Sequence, residues 1–103
     1  MTSTEPTIEY IRYRIPPERA DDLMSAYRSA AVPLKASPYC IDYELTQGVE
    51  EPDRFVLRIA WTSVDDHLQK FRRGSQFREF FGHIAPFVDQ IEEMAHYTTR
   101  LRL

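Results

Sequence analysis

Apolar and polar positions alternate along residues 7–15. Ile11, Tyr13 and Ile15 fall on one side, and Ile8, Tyr10, Arg12 and Arg14 on the other, the period of a half-covered β-strand. Pro16-Pro17 ends this strand, and from Glu18 the period becomes helical, with Ala20, Leu23, Met24, Tyr27 and Ala31 forming one apolar stripe. Glu18, Asp21 and Asp22 sit where the positive end of a helix favours carboxylates. Pro33 is expected to stop the helix near Ala31. A second strand is predicted over residues 39–47, with Tyr39, Ile41, Tyr43 and Leu45 facing one way and Cys40, Asp42 and Glu44 the other. Residues 48–53 are rich in turn and acidic types and read as a hairpin loop. A third strand is predicted over 54–62, where Phe55, Leu57, Ile59 and Trp61 share a face.

Ser63, with Asp66 three residues on, has the pattern of a helix cap. The short helix it opens carries Val64, His67, Leu68 and Phe71 on one side. Gly74-Ser75 restarts the chain into a helix with Phe77, Phe80, Phe81 and Ile84 at helical spacing, which Pro86 kinks or ends, and residues 91–101 read as a last strand. The order is therefore strand, helix, strand, strand, helix pair, strand, which predicts an α+β fold of the ferredoxin-like βαββαβ kind. Helices would cover one face of a four-stranded antiparallel sheet. The other face would carry Arg12, Arg14, Asp42, Glu44 and Arg58; it either meets water, as in a monomer, or meets a second copy of the sheet.

The 103 residues fit one domain, expected over 1–103 with residues 1–6 a flexible N-terminus. So short a chain has a thin core, and burying more surface in an oligomer offsets that. Its net charge of −3 and its lack of a basic block argue against nucleic-acid binding. No apolar run approaches the span of a bilayer, and residues 1–6 lack the apolar stretch of a signal peptide. The single cysteine, Cys40, has no partner for an internal disulfide, so a reducing cytoplasm is the expected location.

The stretch FVLRIAWTSVDDHLQKFRRGSQFREFF, residues 55–81, holds a strand ending in Trp61, the Trp61-Thr62-Ser63 turn, His67-Leu68, and then Ser75-Gln76-Phe77 and Phe80-Phe81. With the upstream run from Cys40 to Leu45, this resembles the antibiotic biosynthesis monooxygenase (ABM) domain family, whose members often show a W-x-S turn and a later S-x-F motif. The resemblance implies a dimeric α+β barrel of two ferredoxin-like halves, each with a small pocket between helices and sheet. It also implies, for some members, oxidation of quinols or anthrones with O2 and with no metal or flavin. Trp61 matches the family tryptophan at the end of the third strand. The chain departs from the family at Lys70, where many members have histidine. At the places used by the haem-degrading branch it has Tyr10, Lys70 and Phe81, none of which matches, and it contains no asparagine.

Cofactor-free oxygenation requires a group that removes a proton, groups that stabilise the resulting anion, and exclusion of water. His67, Trp61 and Tyr10 are the candidate catalytic residues: a base near neutrality, a stacking ring with an N–H donor, and a hydroxyl. Phe71, Phe77, Phe81, His83 and Tyr43 are the candidate substrate-binding residues, since pockets for planar ligands are mostly apolar with a few polar groups. Each has a plainer reading. Trp61 and the phenylalanines also fit as core filler, His67 and His83 as helix residues without chemistry, Tyr10 and Tyr43 as ordinary strand residues, and His96 as a structural residue of the last strand. The three histidines lack tight metal spacing, so no metal site and no cofactor are expected. The expected function is oxidation of a small aromatic substrate, quinol-, anthrone- or polyketide-like, with O2 by a homodimer that binds neither nucleic acid nor membrane. The alternative is a non-catalytic dimeric ligand-binding or partner module, favoured by a pocket with no polar group and opposed by a cavity containing His67 or His83.

Overall fold

A computed structural model describes residues 5–103, so most of the expected flexible stretch, residues 1–4, lies outside the described residues. Four strands, β1 (Thr7–Arg14), β2 (Cys40–Gln47), β3 (Arg54–Trp61) and β4 (Ile91–Thr98), form one antiparallel sheet in the order β2-β3-β1-β4. Helices α1 (Ala20–Ala36) and α2 (Ser75–Ile84) lie together on one face. This is the ferredoxin-like arrangement that the order of elements predicts. Among the described residues no helix is long and apolar enough to cross a membrane.

The helix-covered face follows strand parity. Ile11 and Tyr13 from β1 and Phe55, Leu57, Ile59 and Trp61 from β3 are all buried, and Leu23, Tyr27, Ala30 and Leu34 of α1 and Phe80 and Ile84 of α2 close over them. Buried apolar area of this kind is worth about 25 cal/mol per Å² and is the main favourable term in folding. The opposite face carries a ladder of partly exposed ion pairs, Arg12–Glu93, Arg14–Asp53, Arg14–Glu92 and Arg58–Asp42. Each contributes little on its own in water.

Three local expectations are corrected. Helix α1 does not end near Ala31 but runs through Pro33 to Ala36. The proline removes one backbone donor, while burial of Pro33 and Leu34 against the core holds the last turn in place. The stop comes at Ser37, whose extended backbone (φ −78°, ψ 129°) is the conformation that a succeeding proline, Pro38, imposes. In β2 the alternation slips by one: a bulge between Cys40 and Asp42 leaves Ile41 54% exposed and puts Cys40 opposite Trp61, packed against the core. An extra residue in one strand shifts the residues beyond it to the other face. The last strand is also shorter than expected, ending at Thr98.

The β2–β3 loop closes tightly, with the Gly48 N–H donating to the Arg54 carbonyl at 2.8 Å. A Cβ on Gly48 would collide with the Glu51 carbonyl oxygen, whereas one on Gly82, on the exposed side of α2, would meet nothing within 4 Å. Substitutions Gly48→Ala and Gly82→Ala should therefore change stability with opposite signs. The first should cost about 1–3 kcal/mol by overpacking and the second should gain about 0.5–1 kcal/mol from helix propensity. Urea unfolding of the two variants measures both.

Candidate active site

The chain after β3 turns at Ser63, whose hydroxyl accepts the Asp66 backbone N–H at 2.9 Å, as a helix cap does. The Asp66 carboxylate accepts from the Thr62 hydroxyl and pairs with Lys70 at 2.8 Å. The next turn, Asp66–Phe71, is π-helical: the Arg72 N–H reaches back five residues to the His67 carbonyl at 3.0 Å. Such widened turns are rare and recur at functional sites. Its buried residues are His67 and Phe71, which press on Trp61, while Val64 is exposed and Leu68 half-buried.

His67 stacks flat on Trp61, with ring centroids 4.2 Å apart and planes 8° from parallel. At the nitrogen edge of both rings lies Glu9, a carboxylate on the covered face of β1 that is only 2% exposed. The Trp61 indole N–H donates to Glu9 Oε1 at 3.0 Å, and His67 Nε2 stands 3.6 Å from the same oxygen. On the neighbouring strand His96 is the register partner of Glu9, and its Nε2 lies 2.8 Å from His67 Nδ1. Four elements thus bring an acid, two imidazoles and an indole into one cluster.

Burial sets the protonation of this cluster. It pushes the Glu9 carboxyl above its ordinary 4.5, opposed by the Trp61 hydrogen bond and the Arg72 charge. It pushes His67 from 6.5 down to about 3, helped by Arg72 and His96, and it lowers His96 as well. Glu9 is therefore a stronger base than an exposed carboxylate, and His67 is held neutral.

Glu9 and His67 form the polar end of a cavity of about 170 Å³. Trp61, Phe71, Phe77, Phe80 and Phe81 supply its aromatic wall, with Ile11, Ile59, Ile84, Ile91 and Met94 completing it and Arg72 contributing the remaining charge. Of the residues expected from sequence, His67, Trp61, Phe71, Phe77 and Phe81 meet here. Three do not. Tyr10 has the opposite strand parity to Glu9 and lies on the uncovered face, opposite Arg58 and edge-on to Tyr97. Tyr43 lies on β2, lines a separate, more open groove of about 370 Å³ against α1, and donates to the Ala31 carbonyl at 3.4 Å. His83 sits on the exposed side of α2.

Glu9, Arg72 and the pairing of His96 with His67 were not anticipated. The signal for Glu9 was present: it shares parity with Ile11, Tyr13 and Ile15, so a carboxylate stood in a stripe that had to be buried. Glu9, His67 and His96 offer ligand atoms all within 4.8 Å of one another, a grouping that the spacing of the three histidines does not show. Strand register and the π-helical turn, not sequence spacing, bring them together.

Residues 6–83 match the family model for antibiotic biosynthesis monooxygenase, and the chain belongs to that family. It is 25% identical over 72 residues, 70% of this chain and 76% of the relative, to the uncharacterized protein YczJ of Bacillus subtilis (strain 168). Among solved structures, a candidate antibiotic biosynthesis monooxygenase of Bordetella bronchiseptica superposes with a TM-score of 0.76 at 21% identity, covering 96% of this chain and 99% of that one. A conserved protein of Methanosarcina mazei Go1 does so with 0.71 at 20%, covering 96% and 95%, and a candidate monooxygenase of Nitrosomonas europaea with 0.73 at 14%, covering 97% and 95%.

The opposed shifts at Glu9 and His67 have opposite effects on stability. His67 is depressed in the fold, so between pH 6.5 and about 3 the unfolded chain binds the extra proton, and its contribution is lost as pH falls through that window. Glu9 is raised, so its contribution runs the other way above pH 4.5 and flattens the loss. Across pH 4.5–6.5, stability of Glu9→Gln should fall more steeply on acidification than that of the parent, and stability of His67→Gln less steeply. A series of urea melts against pH checks the order of the three slopes, each histidine contributing at most about 1.4 kcal/mol per pH unit.

Proposed function

We propose that the chain is a cofactor-independent monooxygenase that oxidises a small aromatic substrate, quinol-, anthrone- or polyketide-like, with O2. The observation that carries this reading is the buried Glu9–His67 pair at the polar end of an aromatic cavity. A planar ring lies among Phe71, Phe77 and Phe81, and Trp61 holds Glu9 in place through its N–H. Glu9, made more basic by burial, takes a proton from the activated position, and neutral His67 with half-buried His96 leads it toward the surface. The Arg72 guanidinium stabilises the anion left behind, which gives one electron to O2. Recombination of the radical with superoxide forms a peroxide anion, and the proton returned through Glu9 makes it a hydroperoxide. Loss of water from it leaves a carbonyl, so a CH2 group and O2 become C=O and H2O. The cavity's apolar wall keeps solvent from the anion. A non-catalytic binding module fits less well, because a polar pair at the end of the cavity is costly to bury.

The working unit is proposed to be a homodimer of this single domain, closed sheet to sheet. The uncovered face supports this: over the buried Ile8 and Ala60 lie half-buried Tyr10 and Ala95 and exposed Tyr97, and beyond them come the charged pairs of Arg12, Arg14 and Arg58. Light scattering should give twice the 12.2 kDa chain mass, and Tyr97→Arg, at a side chain 46% exposed in the lone chain, should halve it. A lone-chain mass for the parent removes the dimer.

Chelator-treated protein incubated with a panel of hydroquinones and anthrones should consume O2 above the buffer rate. Glu9→Gln should lower kcat by about 10²–10⁴, the usual worth of a general base, and Trp61→Phe, which keeps the ring and loses the N–H, should lower it less. Uptake equal to buffer across the panel would refute the enzyme reading.

A further inference from the structure

We infer that Glu9, His67 and His96 form a binding site for one divalent transition-metal ion. One carboxylate and two imidazoles from three different elements, β1, the π-helical turn and β4, present their ligand atoms within 4.8 Å of one another. That donor set holds zinc in hydrolytic sites and iron(II) in facial-triad sites, where three protein ligands leave further positions open. Glu9 and His67 also line the aromatic cavity, together with Phe71 and Met94.

The surroundings have the character of a ligand-orienting shell. The Trp61 N–H fixes the carboxylate at 3.0 Å, and the Trp61 ring clamps the His67 imidazole at 4.2 Å. Groups that orient metal ligands in this way are typically worth 10–100-fold in affinity. The His67 ring must turn for all three groups to meet one ion. With bonds of about 2.1 Å, tetrahedral ligands stand about 3.4 Å apart, whereas His67 now meets Glu9 through Nε2 at 3.6 Å and His96 through Nδ1 at 2.8 Å. Binding gives one of these nitrogens to the ion and breaks the hydrogen bond between the two rings. Against it stands the positive charge of Arg72 at the same cavity.

This goes beyond the oxygenase reading and does not depend on it. A bound ion uses the same lone pairs as the proton path, so the filled and metal-free states are alternatives, and filling the site should inhibit any cofactor-independent turnover.

Trp61 is the chain's only tryptophan and stacks on a proposed ligand, so its fluorescence reports occupancy directly. Co²⁺ titrated into chelator-treated protein should quench Trp61 to saturation at one ion per chain, with visible d–d absorption growing in step. His96→Gln, at a half-buried position, should weaken binding about a hundredfold or more, beyond the loss seen for orienting groups, with unchanged circular dichroism. His83→Gln, on the exposed side of α2, should not alter it, and Arg72→Gln should tighten it. Absence of quenching at millimolar Co²⁺, quenching that survives in His96→Gln, or quenching abolished by His83→Gln would each overturn the site. The readout requires no substrate, so a failed oxygen-uptake assay leaves this result standing, and loss of Co²⁺ binding leaves the catalytic reading standing.

Discussion

The structure around the cavity is organised by one constraint: a carboxylate, Glu9, lies on the side of the sheet that the helices must cover. An unpartnered ionised carboxyl in such a place costs several kcal/mol. Each neighbour of Glu9 answers that cost. Trp61 donates its indole N–H, the π-helical turn delivers His67 over the oxygen, and β4 is registered so that His96 falls directly opposite. The cluster is consequently both a stability element and the chemical end of the pocket, and the two roles cannot be separated by distance.

The same cluster explains why the site is built at the β1–β4 side of the sheet and not in the larger groove at β2. The groove between α1 and β2 is roomier, but the charged groups lining it, Arg28 and Glu44, are exposed to solvent. Chemistry needs groups whose proton affinity differs from that in water. The smaller cavity supplies such groups, Glu9 and His67, together with an aromatic wall.

Periodicity carried most of the architecture. The parity of Phe55, Leu57, Ile59 and Trp61 and the stripe of Leu23 and Tyr27 were sufficient for the sheet, its covered face and the helix over it. Local exceptions were not legible. The bulge at Ile41 is one inserted residue in an otherwise regular run, and the passage of α1 through Pro33 depends on tertiary packing that a proline rule does not contain. At the site, His67, Trp61 and the phenylalanines Phe71, Phe77 and Phe81 stood out because they cluster within a short stretch. Tyr10 lies on the uncovered face where its strand parity puts it, so the pocket takes Glu9 beside it and not Tyr10. The pairing of His67 with His96, 29 residues apart, arises from strand register and had no trace in spacing.

The bulge in β2 also bears on how the molecule withstands its own proposed chemistry. By turning Cys40 toward the core beside Trp61, it half-buries the chain's only thiol, and that partial burial, with the Asp42 charge, pushes its pKa up to about 11. Peroxides attack sulfur as thiolate, and near neutrality about one such group in ten thousand is in that form. Beside a proposed reaction that forms hydroperoxides, a sulfhydryl on the strand next to Trp61 is thereby held in its protonated, less reactive form.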